Sequence, residues 1–186
     1  IMSPKDLCTL PFLDKVLDAG VKILKIEGRG RSPEYTKVTV GVYSEAVKAI
    51  QNGEFTEEKI AQWTERLRSV YNRDFWDGYY LGRKMGEWTQ RYGSQATKTK
   101  IFVGTVTNFF AKINVAEIRM ETQDLKVGDD IMIIGPTTGV YEDKVSEIRV
   151  DLKPVESTEK GELCSIPVKD VIRRGDKVYK VIDAES

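Results

Sequence analysis

Near residue 97 the spacing of apolar side chains changes period, so the chain cannot be one repeated architecture from end to end. Before that point apolar residues recur every three or four positions, as in Val38, Val42, Ala46 and Ile50 and again in Ile60, Trp63, Leu67 and Val70. That is the spacing of one helix face. Beyond it they alternate, in the runs Lys100–Thr107, Ala111–Met120, Asp130–Ile134, Val140–Val150, Leu163–Val168 and Lys177–Ile182. Alternation marks strands with one buried face. The polar, small-residue stretch Tyr92-Gly93-Ser94-Gln95-Ala96-Thr97-Lys98 separates the two patterns. The expectation is an α+β chain in two parts, residues 1–95 and residues 98–186. The six runs of the second part predict a small six-stranded β-barrel, because closure removes exposed sheet edges.

Within the first part, Leu7, Leu10, Leu13, Val16 and Leu17 are spaced for a helix that Gly20 stops. Pro11 moves its expected start to about Thr9, with the proline in the first turn. Val21–Glu27 is rich in branched residues and reads as a strand, followed by the loop Gly28-Arg29-Gly30-Arg31. Ser32-Pro33-Glu34 opens the next helix and Gly53 closes it, and Thr56-Glu57-Glu58 opens another. A strand residue or two is also expected at Ile1-Met2. One strand cannot form a sheet, so this part reads as a remnant, the last βα units of an α/β (TIM-like) barrel. Loops that follow strands lie on the catalytic face of such barrels. Ser3–Cys8 and Glu27–Arg31 are then expected to be neighbours.

Composition excludes several chemistries. The chain has no histidine, which removes Ser-His-Asp and Cys-His pairs and zinc sites of the Cys/His kinds. Carboxylates, lysine, tyrosine, cysteine or a borrowed cofactor remain. Lysine plus arginine number 29 and aspartate plus glutamate 29, so any attraction for nucleic acid must come from a local patch. Two cysteines make no disulfide framework, which fits a reducing, cytoplasmic setting. No stretch reaches membrane-spanning length, so no membrane partner is expected. Methionine stands second, after isoleucine, which reads as a tag scar or a cut from a longer chain.

Ser3-Pro-Lys-Asp-Leu-Cys8, Lys25-Ile-Glu-Gly-Arg29 with Ser32-Pro-Glu-Tyr35, Gly78-Tyr-Tyr-Leu-Gly82 and Gly135-Pro-Thr-Thr-Gly139 occur in that order. Together they resemble the C-terminal portion of peptidase family U32, the collagenase-like proteases. The units Leu125-Lys-Val-Gly-Asp-Asp130 and Arg173-Arg-Gly-Asp-Lys-Val178 are similar to turns of elongation factor Tu domain two, which the family's second domain resembles. The resemblance implies a parent that is either a protease without settled catalytic residues or a partner in hydroxylating RNA bases, of the tRNA 5-hydroxyuridine type. It implies tRNA or other RNA and the missing N-terminal barrel as partners. Several such relatives hold a 4Fe-4S cluster on four cysteines, and the family's signature cysteines lie upstream of this chain. By position Cys8 matches the last of those ligands, so Cys8 is the implied iron–sulfur ligand in the full-length protein. No metal is expected within the fragment alone.

Several residues are singled out by their setting. Glu27 and Arg29 emerge after the expected strand and are the candidate catalytic or anchoring pair, Arg29 for its two-pronged recognition of carboxylate or phosphate. Lys25, Arg29, Glu34 and Tyr35 are the substrate-binding candidates, while Arg31 reads as solvated. Cys8 near a helix start reads equally as a small buried residue, and Cys164, in an alternating run, reads as a core residue. The aromatic run Phe75-Trp76-Asp77-Gly78-Tyr79-Tyr80 reads as packing first and base stacking second. Phe109-Phe110 with Lys98, Lys100 and Lys112 is the local candidate for RNA contact. Apolar surface left on a barrel remnant predicts a homodimer. Three functions stay open: a C-terminal part of an enzyme that is inactive alone, a non-catalytic RNA- or protein-binding module, and a genuine peptidase.

Overall fold

In a computed structural model that describes residues 4–83, 85–89 and 93–184, the chain divides into two units between Thr97 and Lys98. The elements of the first are β1 (Asp6–Leu7), a 3-10 turn (Leu10–Phe12), α1 (Leu13–Asp18), α2 (Pro33–Gln51), α3 (Glu57–Arg68) and β2 (Phe75–Trp76). Those of the second are β3 (Lys98–Phe110), β4 (Val115–Met120), β5 (Asp130–Gly135), β6 (Gly139–Lys144), β7 (Ile148–Val150), β8 (Lys153–Val155), β9 (Leu163–Pro167) and β10 (Lys177–Asp183).

Local chemistry explains the helices. Pro33 takes the first turn of α2, where its missing N–H costs nothing, and Glu34 complements the helix dipole there. The Thr56 hydroxyl caps α3 by accepting from the Lys59 amide at 3.3 Å. Val42, Ala46 and Ala49 of α2 and Ile60, Trp63 and Leu67 of α3 pack with Cys8, Leu10 and Leu13 into one core. The Trp63 indole N–H donates to Glu45 at 3.0 Å, and Arg66 grips the same carboxylate with Nη1 and Nη2, at 2.5 and 3.0 Å. The two helices are therefore tied at the rim as well as in the core.

The expected order of helix, strand, helix, helix is corrected in two places. Val21–Glu27 forms no strand. Its residues lie mostly exposed, Ile23 at 86%, because no neighbour among the described residues offers backbone groups to pair with. A branched run without a partner has nothing to hold it extended. In its place residues 6 and 7, expected at the edge of a helix, pair as β1 in parallel with β2, Asp6 opposite Phe75 and Leu7 opposite Trp76. The first helix, expected from about Thr9, is also corrected: Thr9 precedes a 3-10 turn that holds Pro11, and regular α-helix begins at Leu13. The strand residues expected at Ile1-Met2 lie outside the described residues. In the aromatic run, Phe75 and Trp76 are half-buried, but Tyr79 and Tyr80 are 62% and 67% exposed, so the expected burial stops at β2.

The second unit is one antiparallel sheet of eight strands, in the order β6-β5-β10-β3-β4-β9-β7-β8. The expected count of six is corrected: the run Val140–Val150 breaks into β6 and β7, and Lys153–Val155 adds β8. The order has β6 and β8 at its two ends, and no ladder joins them among the described residues. Val103, Val106, Ile118, Met120, Ile133, Ile166 and Val178 fill its core, together with Cys164, 1% exposed. Burial, and then the charge of Glu162, raise that thiol's pKa to about 12.

Gly135-Pro-Thr-Thr-Gly139 is a lock on the β5–β6 hairpin. Asp176, 3% exposed, accepts from the Thr138 hydroxyl at 2.5 Å and from the Arg173 amide at 2.8 Å. A Cβ on Gly135 would stand 1.8 Å from the Asp176 Oδ1. Only glycine leaves room for that carboxylate.

Candidate functional site

The turn Asn72-Arg73-Asp74, with Asp74 in the left-handed region at φ 66°, folds back beside β1. Asp6 thereby receives three donors from Arg73: the backbone amide at 2.9 Å, Nε at 3.1 Å and Nη2 at 2.7 Å. The hydrogen bond to Asp6 holds the Arg73 guanidinium above its usual pKa, against a smaller opposing effect of burial. A second guanidinium, Arg31, comes from the loop before α2 and lies 3.5 Å from the same carboxylate. Arg31 also stacks over the ring of Tyr71 at 4.0 Å and stands 5.5 Å from that of Tyr35. Two guanidiniums thus converge on one carboxylate.

Tyr35, Thr39 and Tyr43 follow at every fourth position of α2, so one helix face presents them together. With Asp6, Arg31, Arg73, Lys25 and Glu27 they line a cavity of about 520 Å³. A smaller hollow of about 40 Å³ shares Asp6, Tyr35, Thr39 and Tyr43 with it and adds Cys8, Leu67, Tyr71 and Phe75. Thr39 is 7% exposed, and its hydroxyl has no hydrogen-bond partner although it borders both spaces. A buried hydroxyl without a partner costs about 1–3 kcal/mol. A ligand group reaching it would recover that cost.

Tyr43 joins the cavity to Cys8. Its oxygen accepts from the Thr9 amide at 3.1 Å, and its hydroxyl donates to the Cys8 Sγ at 3.9 Å. Burial, then the neighbouring Cys8, push the phenol well above its usual pKa. Cys8 is 6% exposed, and burial raises its thiol pKa too, offset in part by the Leu10 amide, Tyr43 and Arg68. It is no ready nucleophile. A four-iron cluster ordinarily takes four thiolates. Cys8 is the one thiol of this unit, Cys164 lies within the sheet core, and no group of three or more metal-binding side chains occurs among the described residues. The residues of this chain do not by themselves fit such a cluster.

Of the two segments expected to be neighbours, Ser3–Cys8 supplies Asp6 and Leu7 to the cavity wall and Glu27–Arg31 supplies Glu27 and Arg31, although no strand precedes the second. Lys25, Glu27 and Tyr35 line the cavity; Glu34 sits half-buried in the first turn of α2. Arg29 is exposed, and its backbone amide donates to the Glu27 carboxylate at 2.7 Å, so Glu27 braces its own loop. Arg31, expected to be solvated, stands at the cavity wall with Arg73, its side chain 20% exposed. Asp6, Thr39, Tyr43, Tyr71 and Arg73 were not singled out by sequence. The four-residue spacing of Tyr35, Thr39 and Tyr43 could have found the helix face. Arg73, 67 positions from Asp6, carries no local signal.

In the second unit, Phe109 packs on the core while Phe110 lies exposed at the far end of β3 from Lys98 and Lys100. At the rise of an extended strand the separation is roughly 30 Å. Lys98 and Lys100 therefore do not join Phe109-Phe110, and of the expected lysines Lys112 alone lies near Phe110, in the turn that follows β3.

Residues 1–90 match the sequence profile of peptidase family U32. The chain belongs to that family. A U32 relative, "Collagenase" of Porphyromonas gingivalis, is 53% identical over 180 residues, covering 97% of this chain and 44% of that protein. A protease of Methanocaldococcus jannaschii named as uncharacterized is 35% identical over 96% of this chain and 44% of its own length. The "tRNA hydroxylation protein P1" of Bacillus subtilis is 33% identical over 73% of this chain and 32% of its own length. This U32 chain therefore spans about half, or less, of the curated relatives it matches. The whole cavity lies inside the part that the U32 profile matches.

Proposed function

We propose that this chain is the C-terminal part of a U32 protein that hydroxylates RNA bases, of the tRNA 5-hydroxyuridine type, and that its first unit forms one wall of the reaction site. The observation that carries the reading is Arg31. It is a half-buried guanidinium stacked on Tyr71 and borders a cavity with Tyr35, Tyr43 and an unpartnered Thr39 hydroxyl. Cations beside aromatic faces suit a ligand that is planar and anionic, as a nucleotide is. Arg31 and Arg73 would hold oxyanions, and Tyr35 and Thr39 would orient the ring and its polar edge. The parallel β1–β2 pair is what a remnant of a parallel α/β barrel would retain, and the exposed Ile23, Tyr79, Tyr80 and Met85 are the surface the N-terminal barrel would cover. In the full-length protein Cys8 would be one cluster ligand, with the remaining cysteines upstream. Anaerobic full-length protein should then show visible charge-transfer absorption that Cys8→Ala removes.

The peptidase reading has the names of the more similar relatives in its favour. Against a peptidase centre within this chain itself, it has no histidine, and burial raises the pKa of both its thiols. The full-length protein expressed in a bacterium stripped of its own tRNA hydroxylation proteins decides between them. Mass spectrometry of tRNA nucleosides should show 5-hydroxyuridine with the natural protein and at least a tenfold reduction with Arg31→Gln. Absence of the modified nucleoside, together with cleavage of collagen by the same protein, would overturn the proposal.

A further inference from the structure

The second unit carries a row of aromatic and basic side chains on the outward face of its two central strands. Phe102 of β3 and Tyr179 of β10 stand directly opposite each other, and their rings meet edge to face at 5.8 Å between centroids. Their neighbours Val103 and Val178 point the other way into the core, so the two rings belong to the solvent side of the sheet. Lys100 places its ammonium 5.0 Å from the Tyr179 ring, and Lys177 places its own 5.4 Å from the Phe102 ring. Register continues the row: Lys177 is opposite Thr105, and Thr105 is opposite the exposed Arg119 of β4. Directly opposed residues share a face.

The charge of this face is also informative. Two of its acids are paired with lysines, Asp130 with Lys144 at 2.8 Å and Asp183 with Lys98 at 2.7 Å, while Glu117 accepts from the Thr107 hydroxyl at 2.5 Å and Glu142 stands in the same row beyond Met132. Lys177 instead donates to a neutral partner, Thr105, at 2.8 Å, which leaves its charge uncancelled. Two ammonium groups set against two rings give this stretch of the face the pairing of cation and aromatic surface that suits a polyanion whose own groups can stack. Single-stranded nucleic acid has both properties.

We propose that this face binds single-stranded RNA, stacking bases on Phe102 and Tyr179 and taking phosphates on Lys100, Lys177 and Arg119. The choice of RNA rests on the functional reading above. The lysine stems are flexible, so an incoming base displaces the ammonium from the ring face onto the adjoining phosphate. Little sequence preference is expected, because every base has a face to stack.

The test uses the whole chain and a fluorescent twelve-nucleotide oligouridine, followed by anisotropy at rising salt. Binding should weaken as salt rises, since phosphate contacts release counterions. Phe102→Leu and Tyr179→Leu keep apolar bulk for the fold, and each should weaken binding about tenfold with an unchanged circular dichroism spectrum. Lys177→Gln and Arg119→Gln should each lower the salt slope by about one. Equal binding by the two leucine variants and the natural chain would overturn the proposal. So would equal affinity for an abasic strand of the same length, tighter binding of duplex RNA, or no binding at low salt. Arg31→Gln separates the two proposals. If it abolishes hydroxylation while the leucine variants leave oligouridine binding intact, the first stands and this one fails. If the leucine variants lose oligouridine while the protein forms no hydroxyuridine, the reverse holds.

Discussion

Replacing Gly135 by alanine should destabilise the second unit and leave the first untouched. The added Cβ would fall 1.8 Å from Oδ1 and 2.4 Å from Cγ of Asp176, distances no pair of unbonded heavy atoms tolerates. Either the β5–β6 hairpin or the aspartate must move. Moving the aspartate breaks its bonds from Thr138 Oγ1 and the Arg173 amide, both to a charged acceptor in a buried position. At about 1.5 kcal/mol each, the low end for such bonds, the loss is about 3 kcal/mol. The assay exploits where the tryptophans fall. Trp63, Trp76 and Trp88 are all in the first unit, so tryptophan fluorescence follows that unit, while far-ultraviolet circular dichroism also follows the sheet. In urea, Gly135→Ala should move the sheet transition to lower concentration and leave the fluorescence transition in place. Asp176→Ala added to Gly135→Ala should cost much less than it does alone, since the two act on the same bonds. A Gly135→Ala chain within about 0.5 kcal/mol of the natural one would refute the reasoning.

Two further predictions concern titration. Asp143, bonded by Lys169 at 2.7 Å and by Tyr141, has its pKa lowered to about 2, so its contribution to stability is present above the usual aspartate range and disappears as pH falls toward 2. The sheet transition should weaken between about pH 4 and 2, and Asp143→Asn should flatten that stretch of the profile; an unchanged slope in the variant would count against the assignment. Cys8 and Cys164 are both buried with raised thiol pKa values, so a disulfide reagent at pH 8 should label neither until the chain is unfolded. Prompt labelling of the native chain would contradict this, and Tyr43→Phe should raise the Cys8 pKa further by removing a hydrogen bond that lowers it.

The local signals that proved readable were those enforced over short distances. Ser32-Pro33 and Gly53 bracket α2, Thr56 caps α3, and alternation located most of the sheet, because capping groups, proline and side-chain period act within a few residues. Lys25, Glu27 and Tyr35 were found near the cavity for the same reason: they flank a loop that leads into a helix. Where a strand depended on a partner, reading failed. Val21–Glu27 has strand composition and no partner, whereas Asp6–Leu7 and Phe75–Trp76 have little strand signal and pair with each other. A short strand is stabilised by the neighbour's backbone groups more than by its own side chains.

The amino-acid sequence by itself determined the division into a helical and a stranded part, the starts of α2 and α3, and the exclusion of histidine chemistry within this chain. Tertiary structure alone decided that Asp6 meets Arg31 and Arg73, that Thr39 is left without a partner beside a cavity, and that Phe102 and Tyr179 meet across two strands. The physical reason is sequence separation. Contacts between residues 25, 67 or 77 positions apart follow from how elements dock and in what register they pair, and no local spacing encodes that.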